Sequence, residues 1–84
     1  MAINYDGLRS LTARELIAAL NRDGLYFVCQ TGSHRCYRHS DGRRLTIALT
    51  AGGDTFTLRT LQSIIERQAR WNEGDLLRLG LIKA

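Results

Sequence analysis

The sequence predicts a small α+β domain of the order αβββα, a three-stranded antiparallel meander with two helices on one face of the sheet. Three observations indicate this fold. A helix-capping pattern precedes apolar residues at helical spacing, two turn signals divide a run rich in β-branched and aromatic residues, and a second apolar helical stripe follows. A chain of 84 residues suffices for one such domain and is too short for a dinucleotide-binding fold or a β/α barrel.

The first helix is expected over residues 13–22. Thr12 and Glu15 have the spacing of a capping box, in which each side chain accepts a hydrogen bond from the other residue's backbone N–H. Gly24 then ends the helix. Residues 1–11 are expected to be a loosely ordered lead-in. The apolar residues at helical spacing are Ala13, Leu16, Ile17 and Leu20.

Three strands are expected over residues 25–30, 34–39 and 43–49, because Gly32-Ser33 and Asp41-Gly42 each fit a two-residue hairpin turn. Turns of this length direct one set of residues towards the helices: Phe27, Cys29, Cys36, Leu45, Ile47 and Leu49. Arg38 and His34 fall on the same face, Arg38 with its stem buried and His34 at the rim. The opposite face would carry Tyr26, Val28, Gln30, Arg35, Tyr37, His39, Arg44, Thr46 and Ala48.

A second helix is expected over residues 58–71, capped by Thr57, after a loop at 51–54. Its apolar stripe is Leu58, Leu61, Ile64, Ile65 and Ala69. A last helical piece over 75–79 ends at Gly80. We interpret residues 1–84 as a single domain, with a core over about 12–71 and a short helical extension over 72–84.

The charge pattern favours an anionic ligand. Lys and Arg total 12 against eight Asp and Glu, a net charge of +4, and all but Lys83 of the basic residues are Arg. The guanidinium group pairs bidentately with phosphate, so this bias suits nucleic acid. An ordinary solvated sheet edge is the alternative interpretation. The candidate RNA-binding residues are Arg35, Arg38, Arg43, Arg44, Tyr37 and His39.

His34 is the candidate catalytic residue, because histidine is the side chain that ordinarily exchanges a proton near neutral pH. A histidine held by a backbone carbonyl is the plainer alternative. His39 is a candidate helper or a surface residue. Cys29 and Cys36 are interpreted as buried small apolar residues, and the carboxylates do not cluster, so neither a metal nor a cofactor is expected.

The sequence has no apolar stretch of membrane-span length, and its start lacks the apolar stretch of a signal peptide. A cytoplasmic location is therefore expected, without contact with a membrane.

Four segments together resemble HicA-type (YcfA-like) toxins of bacterial toxin–antitoxin pairs, over about residues 12–70. They are Ala13-Arg-Glu-Leu-Ile, Gln30-Thr-Gly-Ser-His34, Tyr37-Arg-His-Ser-Asp-Gly-Arg-Arg44 and Thr57-Leu-Arg-Thr-Leu. The resemblance implies a fold similar to a double-stranded RNA-binding domain and cleavage of mRNA without the ribosome. It also implies that the histidine of Gly-Ser-His, here His34, is catalytic, and that a HicB-type antitoxin protein binds and covers this site.

The sequence thus favours a small metal-independent endoribonuclease in which His34 acts as general base or acid. Two alternatives remain open. One is a non-catalytic RNA-binding module of the same fold, which needs the basic residues and no histidine. The other is a protein-interaction domain in which Tyr26, Tyr37 and Trp71 contact the partner.

Overall fold

Helices and strands follow one another in the predicted order. The structure, a computed structural model, describes residues 3–48 and 51–82. After a 3₁₀ turn at Asp6–Leu8 come α1 (Ala13–Arg22), β1 (Tyr26–Thr31), β2 (His34–Arg38), β3 (Arg44–Ala48), α2 (Leu58–Gln62) with its continuation as a π-helix (Ser63–Gln68), and α3 (Glu73–Arg78). The strands form one antiparallel sheet in the order β1-β2-β3. The predicted α+β meander is confirmed.

The capping box predicted for α1 is confirmed. The Glu15 N–H donates to Thr12 Oγ1 at 3.2 Å, and the Thr12 N–H donates to Glu15 Oε1 at 2.9 Å. Two more N–H groups of the first turn, those of Ala13 and Arg14, donate to carbonyl oxygens of the 51–54 loop. The loop after β3 therefore satisfies N–H groups that a helix start leaves without an intrahelical partner.

The first hairpin turn is confirmed and the second is one residue longer than predicted. Thr31 pairs with His34 across Gly32-Ser33, as expected. In the second hairpin His39 donates its N–H to the Arg43 carbonyl at 3.0 Å, which leaves a three-residue loop. Gly42 in this loop has φ +100, the conformation that glycine adopts at the end of a three-residue hairpin loop. The extra residue pairs Tyr37, rather than Arg38, with Leu45.

A β-bulge in β1 also shifts the pairing of β1 with β2 by one residue. The β1–β2 register changes between Phe27 and Cys29, so Val28 is the extra residue and Phe27 lies opposite Tyr37. The predicted pairing of Phe27 with Arg38 is therefore wrong. No single residue type in this stretch distinguishes a bulged strand from a regular one.

These shifts exchange residues between the two faces of the sheet. Tyr37 is only 2% exposed and packs with Leu45 and Ile47 under the helices, on what we call the covered face. Because side chains alternate along a strand, His34, Cys36 and Arg38 of β2 lie on the opposite, open face. This face also carries their partners in β3, which are Arg44, Thr46 and Ala48.

Two expectations about the faces are corrected by this register, one for the cysteines and one for Arg38. Cys29 is exposed and Cys36 half-buried, so the cysteines are not core residues, although they lie directly opposite one another as predicted. Arg38 faces away from the core. Leu49, also expected on the covered face, lies outside the described residues.

The core extends beyond the predicted residues 12–71. Tyr5, Leu8 and Leu11 are buried in it, so the described part of the lead-in is packed rather than loose. The Tyr5 hydroxyl donates to Glu66 of the π-helix. From the C-terminal side, α3 begins at Glu73 after an Asn72 cap, two residues before the predicted start at 75, and Leu76 and Leu79 are buried in the same core. No helix in residues 3–48 and 51–82 is long and apolar enough to cross a membrane.

Candidate nucleic-acid interface

His34 lies exposed at the first position of β2, directly after the two-residue turn. Gly32 has φ +59, a left-handed conformation that glycine adopts without a Cβ clash, and this allows the tight turn. His34 pairs with Thr31 on one side and with the small Ala48 on the other. The sequence predicted the rim of the covered face, which is wrong, because the one-residue shift places His34 on the open face. Its ring is accordingly accessible to a large ligand.

Arg38 and Arg44 form a pair of like charges on the open face. They are direct cross-strand partners, an arrangement that destabilises a sheet when nothing neutralises it. None of the ion pairs in the described residues includes either guanidinium. An anion bound between the two arginines would remove their repulsion. Arg38 lies four residues from His34 along β2, about 13 Å at the usual strand rise.

All of the charged residues in the three strands are basic. The three strands carry Arg35, Arg38 and Arg44 and no acidic residue. A surface of this kind raises the local concentration of a polyanion and accepts phosphate groups. The basic character predicted from the sequence is therefore present in the folded sheet, with Arg38 and Arg44 on the same face as His34.

Arg35 and Tyr37 lie on the covered side of β2, although both were predicted on the opposite face. The Arg35 guanidinium lies 6.0 Å from the centroid of the Phe27 ring, and Phe27 packs edge-on against Tyr37 at 5.9 Å. The ring of Tyr37 is buried, so the expectation of Tyr37 as an exposed RNA-binding residue is corrected. Arg35 is half-buried beside this aromatic pair and does not share a face with His34.

Arg43 is occupied by intramolecular contacts. Its side chain is 13% exposed and donates to Asp23, to Asp41 and to the Ala69 carbonyl oxygen, at 2.8, 2.8 and 2.6 Å. Burial would lower the pKa of Arg43, but the hydrogen bonds to Asp23 and Asp41 outweigh it, and the pKa is raised. These contacts fix the β2–β3 loop to α1 and to the end of the π-helix.

His39 belongs to the same network. Its Nε2 lies 2.9 Å from the Asp23 carbonyl oxygen, and its Nδ1 lies 3.0 Å from the Asp41 N–H. Nε2 therefore carries the proton and donates, while Nδ1 accepts. Both ring nitrogens are engaged, which fits a structural histidine better than the proton-transfer helper considered from the sequence.

Asp23 is the centre of this network, although it was not among the candidate residues predicted from the sequence. One carboxylate oxygen accepts from Arg43 and from Trp71 Nε1, and the other accepts from Arg78, each at 2.8 Å. Burial would raise the pKa of Asp23, but hydrogen bonds from Trp71, Arg78 and Arg43 outweigh it and lower the pKa to about 2. An acidic residue at the C-terminal end of α1 opposes the helix dipole, and this was the available signal that it has partners elsewhere.

A pocket of 330 Å³ is lined by this network, and neither His34 nor Arg38 lines it. Its charged groups at Asp23, Arg43 and Arg78 already bind one another, so the pocket does not identify a ligand site. In the described residues, no group of three or more His, Cys, Asp or Glu side chains could hold a metal ion.

The comparison with known families agrees with the resemblance of the four sequence segments. The family model described as HicA toxin of bacterial toxin–antitoxin matches residues 13–71, more than half of the chain and all three strands. No curated protein and no solved structure shows a significant match. The chain therefore belongs to the HicA toxin family of bacterial toxin–antitoxin systems.

Proposed function

We propose that this toxin is a small endoribonuclease that cleaves mRNA without a metal ion and uses His34 as its catalytic residue. The observation that carries the proposal is the exposed His34 ring on a face that also presents Arg38 and Arg44. Membership of a toxin family supports it. The substrate is RNA because the reaction uses the 2′-hydroxyl, which DNA lacks.

His34 promotes attack of the 2′-oxygen on the adjacent phosphorus. As general base it takes the 2′-hydroxyl proton while the new P–O2′ bond forms and the P–O5′ bond breaks. As general acid it gives a proton to the leaving 5′-oxygen. One histidine does not perform both roles in a single step, so water supplies the other proton transfer. A positioned acid or base contributes about 10²–10⁴-fold to the rate, which fits a slow enzyme.

Arg38 and Arg44 bind the RNA backbone away from the reacting phosphate. Arg38 lies about 13 Å from His34 along β2, and Arg44 is its cross-strand partner in β3, so both are assigned to substrate binding rather than to the chemical step. Arg43 and His39 maintain the β2–β3 loop that leads into β3, through their contacts with Asp23.

The antitoxin partner is proposed to be a HicB-type protein that binds this toxin and covers the open face. The family supports an antitoxin partner in general terms. Covering His34 and the basic face would block RNA entry without any change in the toxin's fold.

The first test is cleavage in excess EDTA. The purified protein is incubated with a mixed-sequence single-stranded RNA, with DNA of the same sequence and with 2′-O-methyl RNA. We expect cleavage of the unmodified RNA alone, with 2′,3′-cyclic phosphate ends, because only this substrate has a free 2′-hydroxyl. Binding of all three without any cleavage would contradict the enzyme and favour the RNA-binding module, the second candidate that the basic sheet supports.

The second test measures how RNA affinity depends on salt. Arg38→Ala and Arg44→Ala are each expected to reduce the slope of log K against log [salt] by about 0.7 on single-stranded RNA, as expected for one lost phosphate contact. Arg9→Ala, which removes an exposed arginine outside the sheet, should leave the slope unchanged. Equal slopes for all four proteins would place the RNA on another surface.

A further inference from the structure

β1 is the most exposed element of the sheet. All six of its residues are exposed, and Tyr26, Phe27 and Val28 are 53%, 52% and 43% accessible. Leu58 and Leu77 are the other large apolar side chains exposed in the described residues, and they lie apart on helices. Tyr26 lies on the open face and Phe27 lies on the covered side beside Tyr37, so these side chains expose apolar surface on both faces of one edge strand. Exposed apolar surface concentrated on one element marks an interaction site more often than scattered apolar residues do.

The two edges of the sheet differ in whether another element packs against them. The outer edge of β3 is occupied by the π-helix, where Gln68 Oε1 accepts a hydrogen bond from the Thr46 N–H at 2.9 Å. β1 is the other edge strand, and in residues 3–48 and 51–82 no strand pairs with its outer side. Its backbone N–H and C=O groups are therefore available to an added strand.

The bulge at Val28 shortens the regular part of this edge. Bulges and charged residues are the usual means of discouraging edge-to-edge pairing, and β1 has the bulge but no charge. An added strand would therefore depend on apolar contacts with Tyr26 and Val28 as well as on backbone hydrogen bonds.

The charged residues of β2, the strand next to β1, indicate which kind of strand could add to the β1 edge. Its register partners in β2 include Arg35, opposite Gln30, and Arg38, opposite Tyr26, which lie on opposite faces of the sheet. No strand carries a carboxylate. A second copy of the chain would bring two sheets of the same positive sign together. In a strand that alternates apolar and acidic residues all the carboxylates lie on one face, where they would be within reach of Arg38 on the open face or of Arg35 on the covered face.

We propose that β1 is the docking edge for an extended segment of a partner protein that alternates apolar and acidic residues and adds to the sheet as a fourth strand. The docking edge specifies where the partner in the function proposed above would bind, and it rests on that function for the identification of the partner as the antitoxin. Docking at β1 would anchor that partner beside the open face and beside His34.

The test uses defined peptides. A fluorescein-labelled, blocked eight-residue peptide of alternating Val and Glu is titrated with the full chain by fluorescence anisotropy, next to the matching Val/Lys peptide. We expect the Val/Glu peptide to bind and the Val/Lys peptide to bind at least about tenfold more weakly, because its charge repels the arginines. Hydrogen exchange of the complex should show slowed amides within Tyr26–Thr31 and none newly slowed in Arg44–Ala48.

Matched variants distinguish peptide binding at the β1 edge from general effects of charge. Val28→Glu should weaken binding of the Val/Glu peptide by about tenfold or more. Val28→Lys should weaken this binding less, and Leu77→Glu should leave it unchanged. Equal binding of both peptides, or equal effects of Val28→Glu and Leu77→Glu, would overturn the proposal. A dimer in sedimentation of the free protein, with β1 amides already protected, would also overturn it and assign the edge to a second copy.

Two separate measurements distinguish docking at β1 from RNA cleavage. Peptide binding is measured without RNA, and RNA cleavage by Val28→Glu is measured without peptide. Wild-type cleavage by a variant that no longer binds the peptide supports a docking edge separate from catalysis. Loss of cleavage in Val28→Glu at an unchanged melting temperature would contradict that separation.

Discussion

Replacing His34 with alanine is expected to lower the rate of RNA cleavage at saturating RNA by about 10²–10⁴-fold. In the proposed mechanism, the alanine variant loses the group that accepts or donates the proton at the reacting phosphate and keeps Arg38 and Arg44, the proposed contacts to the RNA backbone. RNA affinity should therefore change little. The measurement is single-turnover cleavage in EDTA across a range of protein concentrations, so that the rate constant and the affinity are separated.

The second histidine provides the matched control. His39→Ala should keep the cleavage rate within about threefold but lower the melting temperature, because His39 bonds to Asp23 and Asp41. His34→Ala should do the opposite, since His34 is exposed and no hydrogen bond in the described residues involves its ring. If His39→Ala abolished cleavage in a folded protein and His34→Ala did not, the catalytic assignment would be wrong.

The fold was predictable because its elements have local signals. The capping box at Thr12, the two-residue turn at Gly32 and the Thr57 cap are each defined by residues within a few positions of one another, and all three are observed. The existence and order of helices and strands depend mainly on such local patterns.

The register was not predictable from the same signals. Asp41-Gly42 fits both a two-residue turn and the end of a three-residue loop, and the choice depends on packing and on the contacts that hold the loop, such as Arg43 with Asp23. One residue of difference moves every side chain of a strand to the other face. This is why Tyr37 was expected outside and is buried, and why His34 was expected at the covered rim.

The network around Asp23 depends on contacts distant in sequence. Its partners Arg43, Trp71 and Arg78 follow it by 20, 48 and 55 positions. Neither periodicity nor spacing reveals such pairs. The sequence correctly indicated a basic protein, but it could not separate Arg38 and Arg44, which no described carboxylate neutralises, from Arg43, which two carboxylates hold.

Asp23→Ala is expected to destabilise the fold by about 3 kcal/mol, the lower end of the range for removing one partner of a buried charge pair. The carboxylate is 8% exposed, and its removal leaves the Trp71 Nε1–H and one bond of Arg43 without an acceptor. The loss of the Arg78 bond adds little, because the Arg78 side chain is mostly in water. Chemical denaturation with Trp71 fluorescence as the signal measures the change.

Two comparisons test the reason for this effect. Asp23→Asn keeps the shape of the side chain and one accepting oxygen, so it should lower the free energy of unfolding less than Asp23→Ala does. Asp6→Ala removes an exposed carboxylate at the 3₁₀ turn and should change stability by less than about 0.5 kcal/mol. If Asp23→Ala were no more destabilising than Asp6→Ala, the network would not hold the α1 end, the β2–β3 loop and α3 together.

The contribution of Asp23 should also disappear in acid. Its pKa is about 2 in the folded protein against an ordinary value of 3.8, so the carboxylate is protonated less readily when folded than when unfolded. A group with a lowered folded pKa stabilises fully above its unfolded pKa, and that stabilisation is lost as the pH falls through the folded pKa. The shift corresponds to about 2 kcal/mol. The difference in unfolding free energy between the wild type and Asp23→Ala should therefore stay constant from pH 7 to 5 and shrink by this amount towards pH 2. A difference that did not change over this range would show that the charge of Asp23 does not stabilise the fold.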